Sequence, residues 1–232
     1  MPQRLLGPIT MNLSDVPKFV INLDDRSDRL ARVAQQFENL GWTFERFPAI
    51  VDKRHFGCTR SHIEVCRLAK DRGYNEYMIF EDDVHLIPGI NHNLEGWNID
   101  FEYDLLHLGP AINSHVQKDR DQYPFIHLNK DVDDSININR EVLCAHAMLV
   151  KAALYDDILN CKPHEAIDVY FRRVIHKKYN CYAVPVPVAT QYPGHSDIND
   201  TEDNNHYIIM YNYRRYVDPE ITFKKFPVDM CH

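Results

Sequence analysis

The chain has no run of apolar residues near the roughly 20 that a membrane-spanning helix needs, so no transmembrane segment is expected. Met1 to Thr10 lacks the charged-then-apolar layout of a secretory signal. The six cysteines (58, 66, 144, 161, 181 and 231) form no CxxC pair and no zinc-like spacing. Cys58 and Cys66 fall on one expected helix, too far apart along it to bridge. Reduced thiols and an intracellular, cytoplasmic protein are the expectation. Basic charge is also short: 26 Lys and Arg face 34 Asp and Glu, for a formal net charge of -8. That argues against generic nucleic-acid binding, which needs a basic face. It leaves room for a local basic pocket around a nucleotide phosphate. Repeats, low-complexity tracts and obvious linkers are missing too.

What is present is the balance of an ordinary soluble globular protein. The 232 residues are 44% hydrophobic and 26% charged, enough for one large α/β domain or two small ones. The 13 Tyr, 11 Phe and 2 Trp suit sugar or base pockets, or plain core packing. Residues 1–16 read as a flexible lead-in and 17–232 as a single domain. Lys18 to Leu23 reads as a first strand. Leu30, Val33, Ala34, Phe37 and Leu40 then recur at helical spacing, with Ser27 or Asp25 as cap and Gly41 as stop. Trp42 to Ile50 is β-like. A second helix is expected from Cys58 to Asp71, ending at Gly73.

Tyr103 to Leu108 reads as a short strand, and Ala111 to Arg140 as a long polar loop or hairpin. Val142 to Val150 is apolar with small residues. Helices are expected from Lys151 to Leu159 and from Glu165 to Lys178. Cys181 to Val188 reads as a proline-limited edge strand, and Glu202 to Tyr216 as a final helix. Strands alternating with helices predict an α/β fold with a mainly parallel central sheet flanked by helices.

Glu81-Asp82-Asp83 follows the apolar run Tyr77-Met78-Ile79-Phe80, which reads as a buried strand. Two unit charges about 4 Å apart repel by roughly 4 kcal/mol at an effective dielectric of about 20. Three carboxylates at one strand end point to a cation between them, such as a divalent metal carrying a diphosphate. The plainer reading is an acidic strand end. In open α/β sheets, ligands bind beyond the carboxyl ends of strands, where this triplet falls. Strand alternation puts Glu81 and Asp83 on one face and Asp82 on the other.

Four other groups carry candidate chemistry. Asn22, Asp24, Asp25, Arg26, Asp28 and Arg29 follow the first strand, as an anion-binding turn or as a salt-bridged helix start. Ser61 and His62 open the second helix, as ligand partners or, for His62, as part of a core stripe with Val65 and Ala69. Asp168 is an acid in an apolar setting, suited to general-base work or to a helix N-terminus. Residues 191–198 form a donor-rich turn in which His195 is a candidate metal ligand.

Three blocks in this order resemble glycosyltransferase family 25. They are Ile21-Asn22-Leu23 with Arg26 and Arg29, then Gly57-Cys58-x-x-Ser61-His62, then Phe80-Glu81-Asp82-Asp83-Val84. Ala145-His146-x-x-Leu149-Val150, Ile167-Asp168 and residues 191–198 continue the similarity. That family includes bacterial lipopolysaccharide galactosyltransferases and collagen hydroxylysine galactosyltransferases. The resemblance implies a GT-A fold, a UDP-sugar donor of galactose or glucose, a manganese ion and an inverting transfer. The acceptor would be a hydroxyl on a glycan or a hydroxylysine-type side chain. Carried over by position, Glu81, Asp82, Asp83 and His195 stand for the metal set, with Asp83 as direct ligand. Asn22, Arg26, Arg29, Ser61, His62, Gln191, Ser196 and Asp197 would border the nucleotide-sugar, and Asp168 would be the base. The short stretch from Pro48 to Phe56 motivates an alternative, a non-catalytic nucleotide-sugar or glycan-binding module on the same fold. The carboxylates alone would also suit a metal-dependent phosphoester hydrolase.

Overall fold

A computed structural model describes residues 13–53, 55–87, 102–109, 111–112, 126–127, 142–184, 187–196, 201–203 and 209. The first strand, β1 (Lys18–Asn22), is buried along its whole length. Its charged first residue is accommodated by the turn before it. Leu13–Asp15 of the expected lead-in forms a 3-10 turn with Leu13 fully buried. The Lys18 ammonium donates to the carbonyls of Leu13, Ser14 and Val16. Burial lowers the Lys18 pKa to about 8.

The chain continues through α1 (Ser27–Asn39), β2 (Glu45–Pro48), α2 (Phe56–Asp71), β3 (Glu76–Glu81), β4 (Val84–Leu86) and β5 (Leu105–His107). Two-residue strands β6 (Ala111–Ile112), β7 (Ile126–His127) and β8 (Val142–Leu143) precede β9 (Ala147–Lys151). A 3-10 turn at Ala152–Leu154 leads to α3 (Tyr155–Leu159). Then come α4 (Ile167–Tyr170), a π-helical turn at Phe171–Ile175 and α5 (His176–Lys178). Strands β10 (Cys181–Ala183), β11 (Ala189–Gln191), β12 (Gly194–Ser196) and β13 (Thr201–Asp203) follow.

Seven of the described strands form one sheet in the order β2-β1-β3-β9-β5-β10-β7. Strands β2, β1, β3, β5 and β10 share one direction, while β9 and β7 run against it. The fold is therefore α/β, with a mainly parallel central sheet flanked by helices. Strand β9 is the insertion that periodicity did not reveal. Its first four residues are buried between β3 and β5, so it reads as a plain apolar run.

Strand β3 sorts the two layers. Tyr77 and Ile79 pack with Ile63, Val65 and Cys66 of α2, and with the helical stretch that holds Ile167, Tyr170 and Phe171. Met78 and Phe80 pack with Val33 and Phe37 of α1 and with Trp42. Phe37 meets Trp42, Phe44 and Phe80 edge-on.

The expected stops hold, with Gly41 at φ +66° and Gly73 at φ +68°. The expected caps of α1 do not: its N-cap is Arg26, without a side-chain cap bond. The stretch expected as an edge strand instead gives β10, flanked by β5 and β7, and its prolines fall beyond the paired residues. Glu202, expected to start a helix, lies in β13. Most of the expected 111–140 loop lies outside the described residues.

Candidate metal and donor site

Strand β3 ends at Glu81, and the three acids at its carboxyl end find three different sets of partners. Asp82 takes the α1 side with Met78 and Phe80. Its Oδ2 accepts from Asn22 Nδ2 at 2.8 Å, and its Oδ1 accepts from Arg29 Nη1 at 3.0 Å. Asp82 is 7% exposed and Asn22 1%. The other donor of the Asn22 amide serves the Arg26 carbonyl at 3.0 Å, and its Oδ1 accepts from Arg46 Nε at 2.8 Å. Asn22, Arg29 and Asp82 thus tie the ends of β1 and β3 to the start of α1. Sequence reading placed Asp82 among metal ligands and Asn22 and Arg29 beside the nucleotide. In the structure their functional groups are engaged with one another.

Glu81 takes the α2 side. Its Oε1 lies 3.0 Å from His62 Nε2 and 3.6 Å from Cys58 Sγ. Cys58 and His62 are four residues apart, so they share the inward face of the first turns of α2. Burial acts most strongly, to raise the Glu81 pKa, but the hydrogen bond and charge of His62, the charge of His146 and the Cys58 hydrogen bond together outweigh it and hold the carboxyl below its ordinary value. Burial, then the Glu81 charge, push the Cys58 thiol well up, with Asp168 and Asp83 adding to the effect. The buried Ser61 hydroxyl accepts from the Ile50 N–H and donates to the Gly57 carbonyl, both at 2.8 Å. It fastens the 50–52 loop to α2 rather than facing outward.

Asp83 ends the triplet. Its Oδ2 accepts from Gln191 Nε2 at 3.0 Å, and the Tyr192 N–H donates to its carbonyl at 2.7 Å. Pairing of β4 with β11 brings these residues together. Two acceptor oxygens are left buried without a donor here, Asp83 Oδ1 and Gln191 Oε1. Burial, then the charges of Glu81 and Asp82, push the Asp83 carboxyl up to about 8.

Asp168 sits in the first turn of α4, half-buried, with its Oδ1 accepting from the Val169 N–H at 2.8 Å. Its charge acts on Cys58 and Cys144 together with those of Glu81 and Asp83, which places all three acids around one region. Cys144 has φ 75°, a strained backbone for a residue with a Cβ. Burial raises its thiol pKa to about 12. His146, 1% exposed, adjoins the same region, since its carbonyl accepts from the Glu81 N–H at 2.9 Å. Burial lowers the His146 pKa to about 4.

Arg26 is the N-cap of α1, its carbonyl accepting from Asn22 and its Nε 3.3 Å from Asp28. His195 and Ser196 belong to β12, paired with β13, and Asp197 lies outside the described residues. Sequence reading missed the contact of Cys58 and His62 with Glu81. The i,i+4 spacing of a thiol and an imidazole ahead of an acidic strand end was the available signal. Cys144 carried no local signal at all.

No protein-family model matches the chain, and no curated protein matches it either. Similar solved structures include A197 from STIV, at 14% identity and TM-score 0.43 over 75% of this chain and 83% of that one. A glycosyltransferase involved in glycosylation of the major capsid of PBCV-1 matches at 11% identity and TM-score 0.36, over 62% of each chain. A Drosophila β-1,4-galactosyltransferase 7 variant, in complex with manganese, UDP-Gal and xylobiose, matches at 12% identity and TM-score 0.37. That match covers 92% of this chain and 78% of the Drosophila one. The structural neighbours thus include glycosyltransferases, at a distance too great to assign a family or an activity.

Proposed function

We propose that the chain is an inverting glycosyltransferase of GT-A type, moving a hexose from a UDP-sugar to a hydroxyl acceptor. The observation that carries this reading is the pair of orphaned acceptors, Asp83 Oδ1 just beyond the carboxyl end of the parallel strand β3 and Gln191 Oε1 on the adjoining strand β11. A buried carboxylate and an amide oxygen without donors suit a hard divalent cation. The ordered sequence blocks that resemble family 25 support the same reading.

In this proposal Asp83 and Gln191 hold a manganese ion, and His195 of β12 completes the set. Bound there, the metal supplies positive charge against the leaving diphosphate. Arg26 faces the donor phosphates or ribose from the start of α1. Asn22, Arg29, Asp82 and Ser61 support the donor pocket from behind. Asp168 accepts the proton of the acceptor hydroxyl, using the oxygen opposite the one engaged by Val169. A hydroxyl deprotonated as it attacks suits a single displacement with inversion at the sugar carbon.

A thermal-shift screen of UDP-sugars with and without manganese, followed by turnover with the best donor, tests the proposal. Manganese-dependent stabilisation by one UDP-sugar and transfer or hydrolysis of it are expected. Asp83→Asn is expected to abolish both. Donor binding with no turnover over a broad acceptor panel would indicate a binding module instead. Release of phosphate from simple esters, with no response to UDP-sugars, would indicate a hydrolase.

A further inference from the structure

Cys58, His62 and Glu81 form a cluster that the transferase reading leaves without a chemical role. Their ligand atoms all lie within 4.8 Å of one another. The imidazole Nε2 and the thiol Sγ approach the same carboxylate oxygen, Glu81 Oε1, at 3.0 and 3.6 Å. A tetrahedral zinc centre has bonds of about 2.3 Å to sulfur and about 2.1 Å to nitrogen and oxygen. Those bond lengths space sulfur and oxygen ligands roughly 3.6 Å apart, and nitrogen and oxygen roughly 3.4 Å apart. The sulfur–oxygen spacing already matches, and the nitrogen–oxygen spacing falls short by a few tenths of an ångström.

The ligands are carried by two regular elements. Cys58 and His62 sit on one face of α2, and Glu81 ends a strand of the central sheet. His62 is 2% exposed, and Glu81 has 19% side-chain exposure, so the cluster is closed behind and open on the Glu81 side. Three protein ligands and an open fourth position are the arrangement of a zinc site that keeps a water or a substrate atom. Asp83 and Asp168 add negative charge around the thiol without joining the triangle.

We propose that Cys58, His62 and Glu81 bind a thiophilic divalent ion of the zinc or cobalt kind, separately from the hard-cation site at Asp83. Ligand chemistry distinguishes the two. Thiolate and imidazole select softer metals, while the oxygen pair at Asp83 and Gln191 suits manganese or magnesium. Binding at the soft site converts the thiol to thiolate and releases its proton. The inference rests on the triad's own geometry and not on the transferase reading.

The test is cobalt titration of the full-length chain, stripped of metals beforehand. A near-ultraviolet thiolate-to-cobalt charge-transfer band is expected, saturating at one ion per chain and displaced by zinc. Cys58→Ser is expected to abolish the band and weaken zinc binding at least tenfold, by equilibrium dialysis. Cys144→Ser and Asp83→Asn are expected to keep the band, and thermal unfolding checks that every variant is folded. An absent band overturns the site. So does a band that persists in folded Cys58→Ser or disappears in folded Asp83→Asn. In each case the triad would be a hydrogen-bonded anchor for Glu81. Loss of UDP-sugar response in Asp83→Asn with the band retained separates this result from the fate of the transferase proposal.

Discussion

Adjacent residues at the end of β3 have different physical fates. Asp82 is satisfied by Asn22 and Arg29, and the Arg29–Asp82 pair has side-chain exposures of only 12% and 10%. Removing one partner of a buried pair strands the other charge, so Asp82→Ala should cost about 3 kcal/mol. Urea unfolding of the variant against the parent reads this directly. Asp83 shows the reverse behaviour. Its carboxyl titrates at about 8 in the folded chain and near 4 when unfolded. Between those values the folded chain binds the extra proton, so this group makes stability fall as pH rises. With metal stripped by a chelator, Asp83→Asn should therefore melt above the parent at pH 8. The difference should vanish towards pH 4. Manganese should raise the parent's melting temperature and leave the variant's unchanged.

At the scale of elements, two glycines decide how closely segments approach. A Cβ on Gly57, in the first turn of α2, would stand 2.2 Å from the Ile50 carbonyl oxygen. A Cβ on Gly109, just beyond β5, would stand 1.6 Å from the carbonyl oxygen of Ala189, the first residue of β11. Both obstacles are backbone, so neither can swing aside. Gly109→Ala should cost about 3 kcal/mol or more and loosen the β4–β11 pairing that joins Gln191 to Asp83. Gly73→Ala meets no neighbouring atom and carries only the left-handed penalty of about 1–2 kcal/mol. Comparing the two melting temperatures tests whether close approach dominates over backbone conformation. Both helix-ending glycines were legible in the sequence because they follow a clear apolar period. The close approaches were not, because Ile50 and Ala189 come near only after the loops fold back.

For the whole molecule, the buried histidines set the acid limit of stability. His107 on β5 and His176 on α5 face each other with Nε2 atoms 3.0 Å apart, and each leaves its Nδ1 buried without a partner. Burial lowers both pKa values, His176 to about 4 and His107 well below its ordinary value, where His176 and His146 push the same way. An unfolded chain protonates these rings near 6.5, so it binds more protons than the folded chain below that pH. The contribution of these two rings should be undiminished above about pH 6.5 and fall towards pH 4, by up to about 1.4 kcal/mol per pH unit for each ring, opposite in sign to that of Asp83. Denaturant midpoints at pH 7 and pH 5 check this. The loss should be smaller in His176→Gln. Local periodicity was enough to locate β1, α1, α2 and β3, but alternation could not assign partners to Asp82 and Asp83, which lie in the turn beyond the strand. Those elements depend only on residues within a few positions of each other. Tertiary structure alone inserted β9 against the sheet direction, placed β10 inside it, closed Glu81 onto Cys58 and His62, and set Gln191 against Asp83. The partners lie 19 to 108 positions apart in the chain, so only long-range pairing brings them together.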